Sequence, residues 1–209
     1  MTMADPAQQI AKAVQGCTQV LTTQHQQCRT IQFHECTAES VAVIYANGAA
    51  ESLVWSSRNG DLTESVFLAR PGGTHAKEVT HHFSYDDLRR TGQSEYRAIG
   101  SLSMGGLTWD DLNIGFVTTL SRETEVIGGM TFRIGESVTA IELPRNMGSL
   151  ITKSKIFVAD DLDEMIPGET FTHLAGRKSG PTYQLKQVIR PGRPGFLSTK
   201  GQYDCGEAS

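Results

Sequence analysis

Between Ser40 and Ala69 the chain runs as three short apolar segments, Val41–Ala46, Ser52–Ser57 and Leu62–Ala69, split by Asn47-Gly48 and by Asn59-Gly60-Asp61. Such dipeptides between apolar runs signal hairpins, because a two-residue type I′ turn needs positive φ at both central positions. An antiparallel meander is the architecture that this stretch predicts. It is entered just after three of the four cysteines.

The meander extends in both directions. Upstream, Thr18–Thr23 and Arg29–His34 are candidate strands with His25-Gln26-Gln27 as their turn. Downstream, Ser94–Met104, Asn113–Leu120, Thr124–Ile134, Ser137–Leu143, Leu150–Val158 and Pro181–Ile189 continue it. Gly105-Gly106, Ser121-Arg122 and Gly135-Glu136 are the expected turns, and Arg70–Thr74 a break. Met130, Phe132 and Ile134 alternate with Thr131 and Arg133, as in a strand with one wet face. Lys153 and Lys155 are expected to face water opposite Ile156 and Val158. Gly100, Gly115, Gly128 and Gly129 fall in or beside strands, where glycines mark bulges and coiling. The predicted fold is mainly β, a curved antiparallel sheet or open barrel of about eight to ten strands.

Two short helices accompany it. Asp5-Pro6-x-Gln8 reads as a capped start, Ile10, Ala13, Val14 and Cys17 form one apolar face, and Gly16 marks the end. Ser84 and Asp87 suggest a capping box, Phe83 and Leu88 a hydrophobic staple, and Gly92 a stop. A single β-rich domain over 1–209 is expected, with 1–16 as N-terminal helix and 190–209 as an irregular strap.

A hydrophobic fraction of 38% with 20% charged residues excludes general disorder. The net charge is −4, with no basic stripe, which argues against nucleic acid as a partner. No apolar run approaches the roughly 20 residues of a membrane helix. Cys17, Cys28, Cys36 and Cys205 match no C-x-x-C pattern. Two disulfides, Cys17–Cys28 and Cys36–Cys205, are the expectation, placing the chain in the periplasm or outside the cell; four thiols in a cytosolic protein are the alternative. Met1-Thr2-Met3 leads straight into Ala4-Asp5-Pro6 without a signal peptide, as if a start codon replaced a removed leader.

Motifs that would name a reaction are missing. Gly100-Ser-Leu-Ser-Met-Gly105 has the wrong spacing for a nucleophile elbow, and no GxGxxG or phosphate loop occurs. His75, His81 and His82 are read as surface histidines; adjacent strand residues point to opposite faces and chelate poorly. Cys28, His34 and Cys36 suit a disulfide better than zinc. Asp160, Asp161, Asp163 and Glu164 lack the glycine and distal glutamate of a calcium loop and read as a solvated turn. Trp109-Asp110-Asp111 reads as a loop. No metal or cofactor is expected.

The layout of the helix Asp5–Gln15, the long meander from Val41, the helix Ser84–Thr91 and the late strand Pro181–Ile189 before a Pro-Gly tail resembles periplasmic outer-membrane lipoprotein carriers and small secreted Gram-negative proteins. That resemblance implies a curved half-barrel around an apolar cavity. The functional expectation is a non-enzymatic periplasmic binding or carrier protein, holding an apolar ligand, lipid chain or protein partner on its concave face. Trp55, Phe67, Phe132, Ile156 and Tyr183 are the expected lining. A structural subunit associating through its sheet edge and a hydrolase using Asp110/Asp111 or His81/His82 are the alternatives.

Overall fold

The computed structural model describes residues 6–37, 39–47, 49–68, 72–144, 147–174, 177–182 and 184–205. Helix α1 (Pro6–Ala13) leads into strands β1 (Thr18–His25), β2 (Thr30–Glu35), β3 (Ser40–Asn47), β4 (Ala49–Ser57), β5 (Leu62–Phe67) and β6 (Gly72–His81). Helix α2 (Tyr85–Thr91) follows, then β7 (Gln93–Met104), β8 (Leu107–Ile127) and β9 (Met130–Glu142). The last strands are β10 (Ser149–Val158), β11 (Ile166–Leu174), β12 (Arg177–Thr182) and β13 (Leu185–Ile189).

These 13 strands form one antiparallel sheet in strict chain order from β12 back to β1, with β13 added beyond β1. Its two edge strands are therefore consecutive in sequence, and three Cα–Cα steps span at most about 11 Å. A flat sheet cannot satisfy that link. The sheet curls into a half-barrel, as the glycine spacing predicts, but with 13 strands in place of eight to ten. The additional ones include β6, β11 and β12, whose sequences (GGTHAKEVTH, IPGETFTHL, RKSGPT) carry little apolar alternation. Pairing with both neighbours, not intrinsic preference, makes β6 and β11 strands.

Glycines set the curvature and one of the turns. A side chain at Gly100 would collide with the carbonyl oxygen of His75, so β6 and β7 approach closely beside the bulge that follows Gly100. Gly128 and Gly129, at φ 60° and 82°, form the β8–β9 turn. The expected turns at Ser121-Arg122 and Gly135-Glu136 instead lie inside β8 and β9. Two adjacent glycines with positive φ outweigh a polar pair as a hairpin signal.

Helix α2 follows its predicted signals. The Ser84 hydroxyl accepts from Asp87 N–H at 3.1 Å, and Gly92, at φ 82°, donates its N–H to Leu88 O. The reciprocal half of the capping box is not made. Asp87 pairs with Arg90 instead, while Ser84 N–H donates to Ser94 Oγ. Phe83 and Leu88 are buried together with Tyr85 and Tyr96, closing one end of the half-barrel. Helix α1 lies on the outer face, where Ile10, Ala13 and Val14 pack on Ala42, Ile44, Leu53 and Trp55. Its expected cap, Asp5, is outside the described residues.

All four cysteines are paired, but as Cys17–Cys36 and Cys28–Cys205, correcting the expected connectivity. Register explains the first pair: Thr18 faces Glu35 across β1 and β2, so the flanking residues Cys17 and Cys36 are brought together. Cys28 sits in the β1–β2 turn, at φ 61°, where the C-terminal strap arrives. The strap runs along the outer face of β1 and β2 on a row of side-chain donors. Gln19 and Thr22 reach Phe196 O, Gln32 reaches Ser198 O, and Thr30 reaches Thr199 O. Gln24 accepts from Gln202 N–H. The buried polar residues Thr22, Gln24, Thr30 and Gln32 are thereby satisfied.

Candidate functional site

The concave face has two unlike walls. Along β2, β3 and β4 the inward positions are Ile31, Phe33, Val43, Tyr45 and Val54, set opposite one another by register pairs such as Phe33↔Val43 and Val43↔Val54. Across the hollow, β8 to β11 present hydroxyls. Thr118, Ser137, Ser154 and Thr170 stand in one cross-strand row, and Thr139, Thr152 and Thr172 in the next. Thr118 donates to Ser137 at 3.2 Å, and Ser154 and Thr170 share a 3.0 Å hydrogen bond. Apolar rows flank this belt, Ile114, Ile141, Leu150 and Leu174 on one side and Leu120 and Ile156 on the other.

Two adjoining chambers lie between the walls. The first, about 240 Å³, is lined by Phe33, Val43, Val54, Leu62, Phe116 and Met165, with Ser137 and Thr139 from the belt. Tyr85 and Glu164 close its helix-capped end. The second, about 220 Å³, is lined by His25, Arg29, Ile31, Thr152, Ser154 and Thr170. Tyr45 lines both. Ile31 and Phe33 are successive inward positions of β2, and Thr152 and Ser154 face Thr139 and Ser137 directly. The chambers are neighbours on one surface.

Their electrostatics differ. Burial lifts the Glu164 carboxyl to about 8, and the nearby Glu35 and Asp163 push the same way against Arg58. At neutral pH this end of the hollow holds an un-ionised acid. Burial also raises Tyr85 well above the ordinary tyrosine range, with the Glu164 charge second. Tyr45 is raised by burial, lowered by Arg29 and raised by Glu164, so it senses both ends. In the second chamber the Arg29 guanidinium lies 5.0 Å from the centre of the Tyr45 ring, and 3.8 Å from Glu51 at the rim. His25, fully buried, shares a 2.8 Å hydrogen bond with Thr23.

Of the expected lining residues, the four described ones do not line either chamber. Trp55 faces outward beneath α1. Phe67 ends β5 and is 38% exposed. Phe132 is fully buried against Phe157 in the cluster joining β1–β3 to the β8–β9 tip. Ile156 packs with Phe83, Leu88 and Tyr96. Tyr183 is outside the described residues. The signals missed are Glu164, hidden in an acidic run, and the Ser/Thr belt, whose inward rows appear only once the register is known.

The other candidates disperse. Among the described residues no three His, Cys, Asp or Glu side chains converge as metal ligands. His34 is buried and its pKa lowered by burial. His82 bonds Asp61 at 2.6 Å, and Asp61 also accepts from Phe83 N–H at 2.7 Å, so the buried carboxylate fixes the approach to α2. Asp110, in β8 and not in a loop, pairs with Lys77 at 2.8 Å, Asp161 pairs with Arg190, and Asp163 with Arg89. Lys153 is exposed as expected, whereas Lys155 lies over the Phe157 ring and pairs with Glu125 at 3.0 Å. Larger hollows of about 590 and 460 Å³ lie on the outer face, over Gly115 and Gly73, where side chains are missing. No helix is long and apolar enough to cross a membrane among the described residues. Comparison with protein-family models, curated proteins and solved structures finds no match.

Proposed function

We propose that this chain is a binding or carrier protein that holds a small, largely apolar ligand inside the curled sheet. The supporting observation is the hollow lined by Phe33, Val43, Val54, Leu62, Phe116 and Met165, bordered by two walls and a helix. Ligand sites are concave and mostly apolar with a few placed polar groups, and the hydroxyl belt and Tyr45 supply such groups here. The neutral Glu164 at the far end adds no charge that would repel an apolar tail. Two disulfides suit an oxidising compartment, and the periplasm or cell exterior is the proposed location.

Edge association lacks comparable support. The edge strand β12 carries Arg177, Lys178 and Pro181, residues that blunt an edge against pairing. A hydrolase has even less, since the His82–Asp61 contact serves the backbone at Phe83.

Titration calorimetry with 1-decanol tests the reading. Saturable one-to-one binding is expected, together with at least a tenfold loss in Val54→Phe, which fills the chamber. No binding by the wild-type protein, or unchanged affinity in the variant, would overturn it.

A further inference from the structure

The first chamber has one carboxyl group in its lining and no base. Glu164 supplies that carboxyl, a partly buried side chain among Phe33, Val54 and Phe116, and no Lys, Arg or His of the described residues lines the same space. Among those residues no hydrogen bond or ion pair engages it. On the facing wall Ser137 and Thr139 present hydroxyls. The belt comes close to Glu164, since Thr118 Oγ1 lies 3.6 Å from Sδ of Met165, the next residue along, and 3.2 Å from Ser137 Oγ. The surrounding charges favour a cation at this end. Glu35 and Asp163 each act on Glu164 more strongly than Arg58 does, although Arg58 pairs with Glu35 at 2.7 Å and Arg89 with Asp163 at 2.7 Å. Arg89 also lies 5.7 Å from the centre of the Tyr85 ring, and Arg29, paired with Glu51, stands in the second chamber on the other side of Tyr45.

Resting on the binding reading above, we infer that the ligand is an amphiphilic primary amine, bound as its ammonium ion. Three N–H donors on that group match the Glu164 carboxyl and the hydroxyl oxygens of Ser137 and Thr139, and the alkyl chain lies along Phe33, Val43 and Val54. Glu164 is un-ionised in the free protein at pH 7, so binding must remove its proton. The entering ammonium ion displaces that proton to solvent, leaving one ion pair in the chamber and one proton released. Because the carboxyl titrates at about 8, the displacement costs roughly tenfold in affinity at pH 7 and little above pH 8. A carboxylate ligand finds no base to pair with in this lining. A metal ion finds one ligand where it needs several.

The test compares decylamine with 1-decanol, equal in chain length, by calorimetry at pH 7 and 9. The amine, like a lysine side chain at about 10.4, is cationic at both. Wild-type affinity for decylammonium is expected to rise roughly tenfold from pH 7 to 9, and at pH 9 to exceed that for decanol at least tenfold. Heats measured at pH 7 in phosphate and in HEPES, buffers of different ionisation enthalpy, are expected to report close to one proton released per decylammonium bound and none per decanol. Glu164→Gln is expected to remove both the pH-dependent rise and the proton release. Its unfolding temperature is measured alongside, and the two wild-type readouts decide the question if the variant does not fold. Decylammonium affinity that stays flat between pH 7 and 9 without proton release would overturn the amine assignment, and decanol binding would leave the binding reading standing. So would a rise that persists in a folded Glu164→Gln. Binding of neither compound would overturn both.

Discussion

Glu164 shows how one side chain records its surroundings. Its ordinary value is 4.5, and burial with Glu35 and Asp163 nearby lifts it to about 8 in the folded protein. The unfolded chain therefore ionises first as pH rises. This group's contribution to stability is at its best below about 4.5, declines as pH climbs toward 8, and is flat above. Glu164→Gln removes the decline, and at pH 9 the variant is expected to be the more stable by on the order of 5 kcal/mol. Thermal unfolding at pH 5, 7 and 9 checks this, and parallel curves for the two proteins would contradict it. In the sequence Glu164 is one of several adjacent acids and reads as solvated. Asp161 and Asp163 do pair at the surface, and only the turn into β11 directs Glu164 inward. The polar row Thr22, Gln24, Thr30 and Gln32 was equally opaque. Its composition implies a wet face, yet backbone carbonyls from the far end of the chain cover it.

Elements with their own capping or turn chemistry were legible. Ser84 and Gly92 bound α2 because each satisfies a backbone group locally, and Gly105-Gly106, at φ 62° and 80°, turns as its sequence requires. What depends on distant partners was not legible: β6, β11 and β12 owe their pairing to neighbours, and the disulfide connectivity follows from register and the strap's path. The strap yields a prediction. Cys28–Cys205 closes 177 residues and Cys17–Cys36 closes 19. In the chain-entropy model the long loop contributes about 5 kcal/mol and the short one about 3. Urea unfolding of the double Cys→Ala variants is expected to show the larger loss for Cys28 and Cys205. The reverse order would mean that the strap's hydrogen bonds to β1 and β2 hold without the cross-link.

The whole molecule follows from one constraint, a long meander whose edge strands are joined by two residues and so must curl. Repeated glycines made the bend foreseeable. The number of strands and the division of the concave face into an apolar and a hydroxyl wall needed the register. That division leaves the hollow incompletely filled, since hydroxyls in two rows interrupt the apolar packing beside them. The most direct measurement is methyl NMR of the protein titrated with 1-decanol. Val43, Val54, Leu62 and Met165 line the chamber, while Val126 and Leu197, 67% and 73% exposed, report the outer surface. Shifts confined to the first group are the expected result. Shifts confined to the second, or none at all, would contradict a chamber inside the sheet.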